Sequence, residues 1–274
     1  MANAQNHLGS VVSLWRYPVK SMMGEELNAA VVTQRGIVGD RAYALIDSDT
    51  GKVASAKNPR KWAKLFNFRA AFIETPNQDA IIPPVRIMLP DGNIVTTDQP
   101  DISQILSGIL ERTVTIRSTP PKTPSLEEYW PDIDGLANRE VTTDESMPAG
   151  TFFDYAVVHL LTTASIDKLR ELYSQGRFEV RRFRPNIVVE SPTGEKGFPE
   201  NSWIGHTLSI GTEVRLEIIG GCPRCVMTTL PQGDLPKDPG ILKTAAQYNK
   251  VNVGVYAAVL RGGMIQREDP VRLE

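Results

Sequence analysis

Cys222 and Cys225 are the only cysteines in the 274-residue chain, and they stand three apart in Gly220-Gly221-Cys222-Pro223-Arg224-Cys225. A thiolate is both a nucleophile and a soft metal ligand, and Arg224 beside the pair favours the ionised form. The plain alternative is two buried small hydrophobes at a strand end. Thioredoxin-like exchange calls for a strand leading directly into a helix, whereas Val226-Met227-Thr228-Thr229 reads as more strand before Pro231. A structural zinc site takes about four ligands, and His7, His159 and His206 have no ligand-like spacing. An all-cysteine iron-sulfur cluster takes about four thiolates, which two cysteines cannot supply. One thiolate on a metal whose other ligands come from a cofactor fits the count.

Anion-binding equipment sits on several separate turns: Tyr17-Pro18-Val19-Lys20-Ser21, Gly39-Asp40-Arg41, Leu161-Thr162-Thr163-Ala164-Ser165 and Arg181-Arg182-Phe183-Arg184-Pro185-Asn186. Cations on turns are ordinarily solvated surface charges, and Thr163 or Ser165 would serve equally as a helix cap. Charge is nevertheless uneven, with ten Lys or Arg against five acids in residues 1–70 and two against eight in 120–154. Together Lys20, Arg41, Arg184 and the hydroxyls suit a phosphate or a polar heterocycle held between two strand-rich modules.

Short β-branched and aromatic runs must position these turns. Val11 to Tyr17, Ala29 to Thr33, Arg41 to Ile46 and Val53 to Ser55 read as strands, the last two as a hairpin about Asp47-Ser48-Asp49-Thr50-Gly51. Strands at about 70–74 and 85–89 continue the series, and Ile102, Ile105, Leu106 and Ile109 have helical spacing. Residues 119–150 carry Pro120, Pro121, Pro124, Pro131 and Pro148 with many acids, as a linker or surface excursion does. Beyond them come strands near 157–161, 187–189, 208–210, 214–219, 251–260 and 271–273, with helices at about 165–174 and 241–248.

The motifs Tyr17-Pro18-Val19-Lys20-Ser21, Gly39-Asp40-Arg41, Phe183-Arg184-Pro185-Asn186 and Cys222-Pro223-Arg224-Cys225-Val226-Met227-Thr228-Thr229 resemble, in type and order, the successive signatures of the MOSC superfamily. The layout is similar to that of amidoxime-reducing components. The resemblance implies a mixed α+β, predominantly β fold: an N-terminal β-barrel-like domain over 8–118, the excursion 119–150, and a MOSC β-barrel over 151–274. It further implies a molybdenum cofactor, molybdopterin with Mo, between the two domains. Cys225 would be its thiolate ligand and the catalytic centre, and Cys222 a neighbour without that role. Lys20, Ser21, Arg41, Arg184, Asn186 and Arg224 would lie around the pterin and its phosphate, as would the turn with Thr162, Thr163 and Ser165.

The implied chemistry is reduction of N-hydroxylated compounds such as hydroxylaminopurines, amidoximes and hydroxylamines. Electrons would come from a separate donor, a flavoprotein reductase, ferredoxin or cytochrome. The competing reading, also within the superfamily, is a sulfur carrier with a persulfide on Cys225. One departure stands out: Glu268 occupies a position where the closing turn of the family carries glycine.

Composition agrees with an ordinary globular protein, 41% apolar and 23% charged, with a formal charge of 30 − 32 = −2. Such a balance offers no global field for a nucleic acid polymer or an acidic membrane. No run approaches the about 18–20 apolar residues of a membrane helix, and the start MANAQNHLGS has no signal-peptide pattern. A cytoplasmic protein is the resulting expectation, and the resemblance adds a small-molecule substrate.

Overall fold

The computed structural model describes residues 7–78, 81–191, 194 and 196–274. Seven strands close a barrel in the order His7–Arg16, Pro270–Leu273, Thr207–Ile210, Val214–Pro223, Asn252–Arg261, Val158–Thr162 and Ile187–Glu190, the last pairing back onto the first. Alternating residues of these strands fill the interior, among them Leu14, Leu160, Ile187, Leu208, Leu216, Val255 and Val271. Each such side chain withdrawn from water contributes roughly 1.5–3 kcal/mol. Val158–Thr162 and Ile187–Glu190 run parallel, which requires a crossover. Helix Thr163–Leu172 lies in that connection.

One barrel strand comes from the opposite end of the chain. His7–Arg16 belongs in sequence to the first module, yet it is the stave that completes the ring. Its entry depends on a glycine: a Cβ on Gly9 would stand 1.8 Å from the Glu190 carbonyl oxygen. Further along the first module, strand Ala29–Thr33 pairs with Gly263–Gln266 near the C-terminus, so the modules share backbone ladders.

The remainder of the first module has its own core of Met22, Leu45, Trp62, Leu65, Phe68, Ile87, Leu106 and Val114. Around it sit the sheet Arg69–Phe72, Val85–Met88 and Ile94–Thr96, the pair Ala44–Asp47 with Val114–Arg117, and helix Ile102–Leu110.

Three expectations change. The hairpin expected over 41–55 shrinks to one bridge between Ile46 and Val53, because Ala44–Asp47 takes its ladder from Val114–Arg117 instead. Residues 119–150 form a hairpin, Ser125–Trp130 with Val141–Ser146. Leu126 and Met147 pack it on Ala44, Ile46, Val53 and Phe152, so the excursion carries core residues despite its prolines. Val226–Thr229 is a single 3-10 turn, not a strand, with Thr228 N–H donating to the Cys225 carbonyl at 3.2 Å.

Glu268, at the glycine position of the closing turn, adopts φ +72°. The turn keeps the glycine geometry without the glycine, held by Glu268 N–H to Val11 O at 2.8 Å and Gln266 N–H to Asp269 Oδ2 at 2.8 Å. A side chain in the left-handed region costs about 1–2 kcal/mol, offset in part by the extra unfolded-state entropy of glycine. Glu268→Gly is therefore expected to raise the denaturant midpoint slightly, by about 0.5–1 kcal/mol of stability at unchanged m-value. A lower midpoint in the urea melt would contradict this.

Candidate functional site: a cation-lined cleft at Cys225

The strand His7–Arg16 stops at the Tyr17-Pro18 step, and the two N-terminal motif turns are zipped together by main-chain bonds. Arg41 N–H donates to Tyr17 O at 2.9 Å, Lys20 N–H to Tyr43 O at 2.9 Å and Tyr43 N–H to Pro18 O at 3.0 Å. Asp40 Oδ1 accepts from Tyr17 N–H at 2.7 Å, and its other oxygen pairs with Arg41. A Cβ at Gly39, where φ is +84°, would meet the Phe72 ring at 2.5 Å, which accounts for the glycine before Asp40.

Ser21, Arg41 and Arg184 hold φ of 63°, 50° and 53°. Left-handed backbone at non-glycine residues is costly and is retained only where the surroundings enforce it. Three of the residues singled out by motif share this feature.

Arg184 ends the short helix Val180–Phe183 and reaches across to the first module, donating from Nη1 to Met22 O at 2.7 Å. Its guanidinium lies 4.1 Å from the Tyr17 ring centroid, and that of Arg41 lies 4.6 Å from the same ring. Burial, with the Arg41 charge adding to it, pushes Arg184 down to about 10. The Arg184 guanidinium remains charged at neutral pH, and the repulsion between it and Arg41 favours an anion beside them.

Cys225 comes one residue after the strand Val214–Pro223, across Arg224, and caps the 3-10 turn, so its half-buried thiol stands just beyond a strand end. Lys20, Arg41, Lys57, Arg184 and Arg224 line one cleft with Cys222 and Cys225, in company with Asp154, His159, Asn186 and Tyr256. The groove has a volume of about 90 Å³. Beside it lies a larger, more apolar cavity of about 450 Å³ that shares Arg41 and Phe153 and reaches Ile37, Val38 and Val157.

Burial pushes the Cys225 thiol up to about 11, the charge of Glu128 adds to this, and Lys57 and Arg224 work against it. Burial would also raise Asp154, but Lys20 and Lys57 together hold it well below the usual carboxylate range. Burial pushes His159 down to about 3, which keeps the imidazole neutral. Its Nε2 lies 3.0 Å from Val253 O.

Of the residues singled out from sequence, Lys20, Arg41, Arg184, Asn186, Arg224 and Cys225 come together in the cleft. Asn186 spends its amide internally, donating to Asp40 Oδ2 at 2.9 Å and Trp15 O at 3.3 Å and accepting from His159 N–H at 3.1 Å. Ser21 is a brace whose hydroxyl accepts from Ala56 N–H at 3.1 Å. Thr162, Thr163 and Ser165 do not line the cleft. Thr162 caps the helix Thr163–Leu172, and the Thr162 and Ser165 hydroxyls both bind the buried Glu200 carboxyl, at 2.6 and 2.5 Å. A hydroxyl before a helix has the same local pattern whether it caps or binds a ligand, which is why the two roles look alike in sequence.

Lys57, Asp154, Tyr155 and Tyr256 were not found by motif. Asp154 and Glu128 come from the acid-rich stretch 120–154, whose charge excess is the sequence signal for them. Glu128 bonds Lys57 at 2.9 Å, and Glu127 bonds Asn58 and Lys61 at 2.8 and 2.9 Å.

Residues 149–272 match the MOSC domain family, and residues 8–74 match the MOSC N-terminal beta barrel domain. This chain is a MOSC-domain protein. It is 26% identical to bovine mitochondrial amidoxime reducing component 2 over 96% of its own length and 83% of that protein's. The human protein of that name is 25% identical with the same coverage, and human mitochondrial amidoxime-reducing component 1 is 24% identical over 97% and 83%. Among solved structures, the YUAD protein of Bacillus subtilis superposes with a TM-score of 0.46 at 12% identity, covering 97% of this chain and 94% of that one.

Among the described residues of this MOSC protein, no three His, Cys, Asp or Glu side chains gather as a metal site. No helix among them is long and apolar enough to cross a membrane. A metal here would take one protein thiolate and find its other ligands on a cofactor. The donor set fits such a group: Arg224 Nη1 bonds Cys222 Sγ and Nη2 donates to Phe183 O at 2.8 Å, while its buried Nε has no partner within the protein. A buried donor left unpaired costs about 1–3 kcal/mol, so it points to an acceptor that binds there.

Proposed function

We propose that this MOSC protein is a molybdenum-cofactor-dependent reductase of N-hydroxylated compounds, fed by a separate electron-transfer protein. The observation that carries this reading is the convergence of Lys20, Arg41, Lys57, Arg184 and Arg224, drawn from both modules, on the cleft that holds Cys225. The likeness to amidoxime-reducing components over 96% of the chain supports the reaction class. In the overall change, R–NHOH, two electrons and two protons give R–NH2 and water. When bound, a molybdenum centre supplies the two-electron reduction that the side chains of this protein cannot.

The chain's own residues bind and orient. Arg41, Arg184 and Arg224 present guanidinium donors to a phosphate, and Cys225 Sγ serves as the metal's thiolate. Burial keeps the Cys225 thiol protonated in the free protein, so Cys225 would give up its proton in becoming a thiolate ligand. Lys20 Nζ, fixed by Phe152 O at 2.7 Å and by Asp154, has little freedom to leave the cleft. The electron donor belongs to the flavoprotein, ferredoxin or cytochrome class, and the compartment we infer is the cytoplasm.

The test is molybdenum and pterin content per chain, in protein from a cofactor-sufficient host, for the wild type and Cys225→Ser. Near-stoichiometric metal and pterin, with reduction of an amidoxime by a reduced viologen dye, is the expected wild-type result. Cys225→Ser should lose more activity than the about 10–100-fold that an outer-shell partner of a metal site costs. Absence of metal and pterin in both proteins, with a persulfide on Cys225 of the wild type, would overturn the reading in favour of a sulfur carrier.

A further inference from the structure

Tyr155 stands at the mouth of the Cys225 cleft with 66% of its surface exposed. Of the large apolar side chains exposed among the described residues, it alone lines the cleft. It is not a loose side chain. The ring leans on Tyr256, with centroids 5.5 Å apart and planes at 43°. Tyr256 is fixed in turn on the barrel strand Asn252–Arg261, in register opposite His159, whose ring meets it edge-on at 6.1 Å. On the chain side, the preceding residue Asp154 is clamped by Lys20 and Lys57, and strand Val158–Thr162 begins three residues later.

Tyr155 is therefore held on one side by a tilted neighbouring ring, and much of its surface is left to solvent at the entrance to the site. An aromatic face held in this way is a stacking platform, which a planar π-system fits and a small hydroxylated amine does not use. The inner wall of the same cleft is cationic, so the division of labour follows from position. Charged donors lie deep beside Cys225, and an uncharged aromatic surface lies at the rim.

We propose that Tyr155, supported by Tyr256, stacks the planar body of the substrate and makes this MOSC protein selective for N-hydroxylated aromatic and amidine-type compounds over small aliphatic hydroxylamines. The proposal rests on the reductase reading for what is bound. The stacking itself is measurable without turnover.

The experiment compares wild type, Tyr155→Ala and Tyr155→Phe, using benzamidoxime and hydroxylamine as substrates. In parallel, equilibrium dialysis of the unreduced protein measures binding of benzamidine, the planar product. A single base-on-aromatic stack typically amounts to about tenfold in affinity. In Tyr155→Ala, kcat/KM for benzamidoxime should fall about tenfold relative to that for hydroxylamine, with KM carrying the change. Benzamidine binding should weaken by a similar factor. Tyr155→Phe keeps the ring and should retain both values, whereas a role for the hydroxyl would make it resemble Tyr155→Ala.

An unchanged ratio between the substrates, an equal loss on both, or a loss of pterin content in Tyr155→Ala would overturn the proposal. The last result would assign the ring to the cofactor instead. If the wild type reduces neither substrate, the reductase reading fails and the dialysis decides the stacking by itself: weaker benzamidine binding in Tyr155→Ala upholds it, and equal or absent binding in both proteins removes it.

Discussion

Arg184→Ala is expected to leave a folded protein that no longer retains pterin. The side chain crosses from one module to the other, donating to Met22 O at 2.7 Å, and with Arg41 it flanks the Tyr17 ring. Both cations face the same buried surroundings, and Arg184 is depressed to about 10 by that burial and by its neighbour. An anion in the cleft relieves the repulsion, so part of its affinity comes from a cost already present in the free protein. Charge-assisted hydrogen bonds contribute about 1.5–3 kcal/mol each. Loss of one such donor then lowers retention of a phosphate-bearing cofactor by roughly 10- to 150-fold.

Arg184→Lys restores the charge but not the planar fork, and recovers retention only in part. The measurement is pterin and molybdenum per folded chain after gel filtration, with the far-ultraviolet spectrum as the folding control. Full retention in both variants would take Arg184 out of the proposed site.

Arg182→Ala should produce the largest loss of stability, although its side chain does not reach the cleft. The guanidinium is wholly buried and bonds only to main-chain carbonyls: Arg177 O and Pro236 O at 2.8 Å, Thr228 O and Leu230 O at 3.2 Å. Two of these carbonyls belong to the turn immediately after Cys225 and its exit. Burial pushes Arg182 down from its usual value, and Asp238 and Glu179 partly counter that.

Truncation leaves several buried acceptors without donors, at about 1–3 kcal/mol apiece. A total of about 4 kcal/mol corresponds to a fall in Tm of roughly 8–16 °C for a chain of this size. Because the freed carbonyls hold the segment 226–230, metal retention at Cys225 should decline together with Tm. A Tm within about 2 °C of wild type would show that the turn holds itself without Arg182.

Some of this arrangement is local and was therefore legible in the chain. Strand and helix positions in the second module follow from short-range periodicity, and helices 163–172 and 240–249 lie within about two residues of where the apolar spacing puts them. The types of Lys20, Arg41, Arg184 and Cys225 marked them as candidate donors to a phosphate and a soft metal, and the resemblance of their motifs to the MOSC signatures implied one shared site with Arg224 in it. The glycine-like turn at Glu268 illustrates the limit of that kind of reading. An expected glycine was missing, yet the backbone kept φ at +72°, because bonds to Val11 O and Asp269 Oδ2 outweigh the local penalty.

The chain by itself determined that the protein is strand-rich, that its candidate thiolates are the neighbours Cys222 and Cys225, and that cations recur on a few sharp turns. These are properties of residue type and spacing, set within about ten residues of each position. Tertiary structure decided the rest. It carried His7–Arg16 across to close the barrel, folded the acid-rich stretch into a hairpin against Lys57, and brought Asp154 and Tyr155 to the cleft. It also turned Thr162 and Ser165 away from the cleft, toward Glu200. Pairings over such separations are settled by the free energy of burying apolar surface and pairing distant backbone groups, and no local pattern records which partner those groups will find.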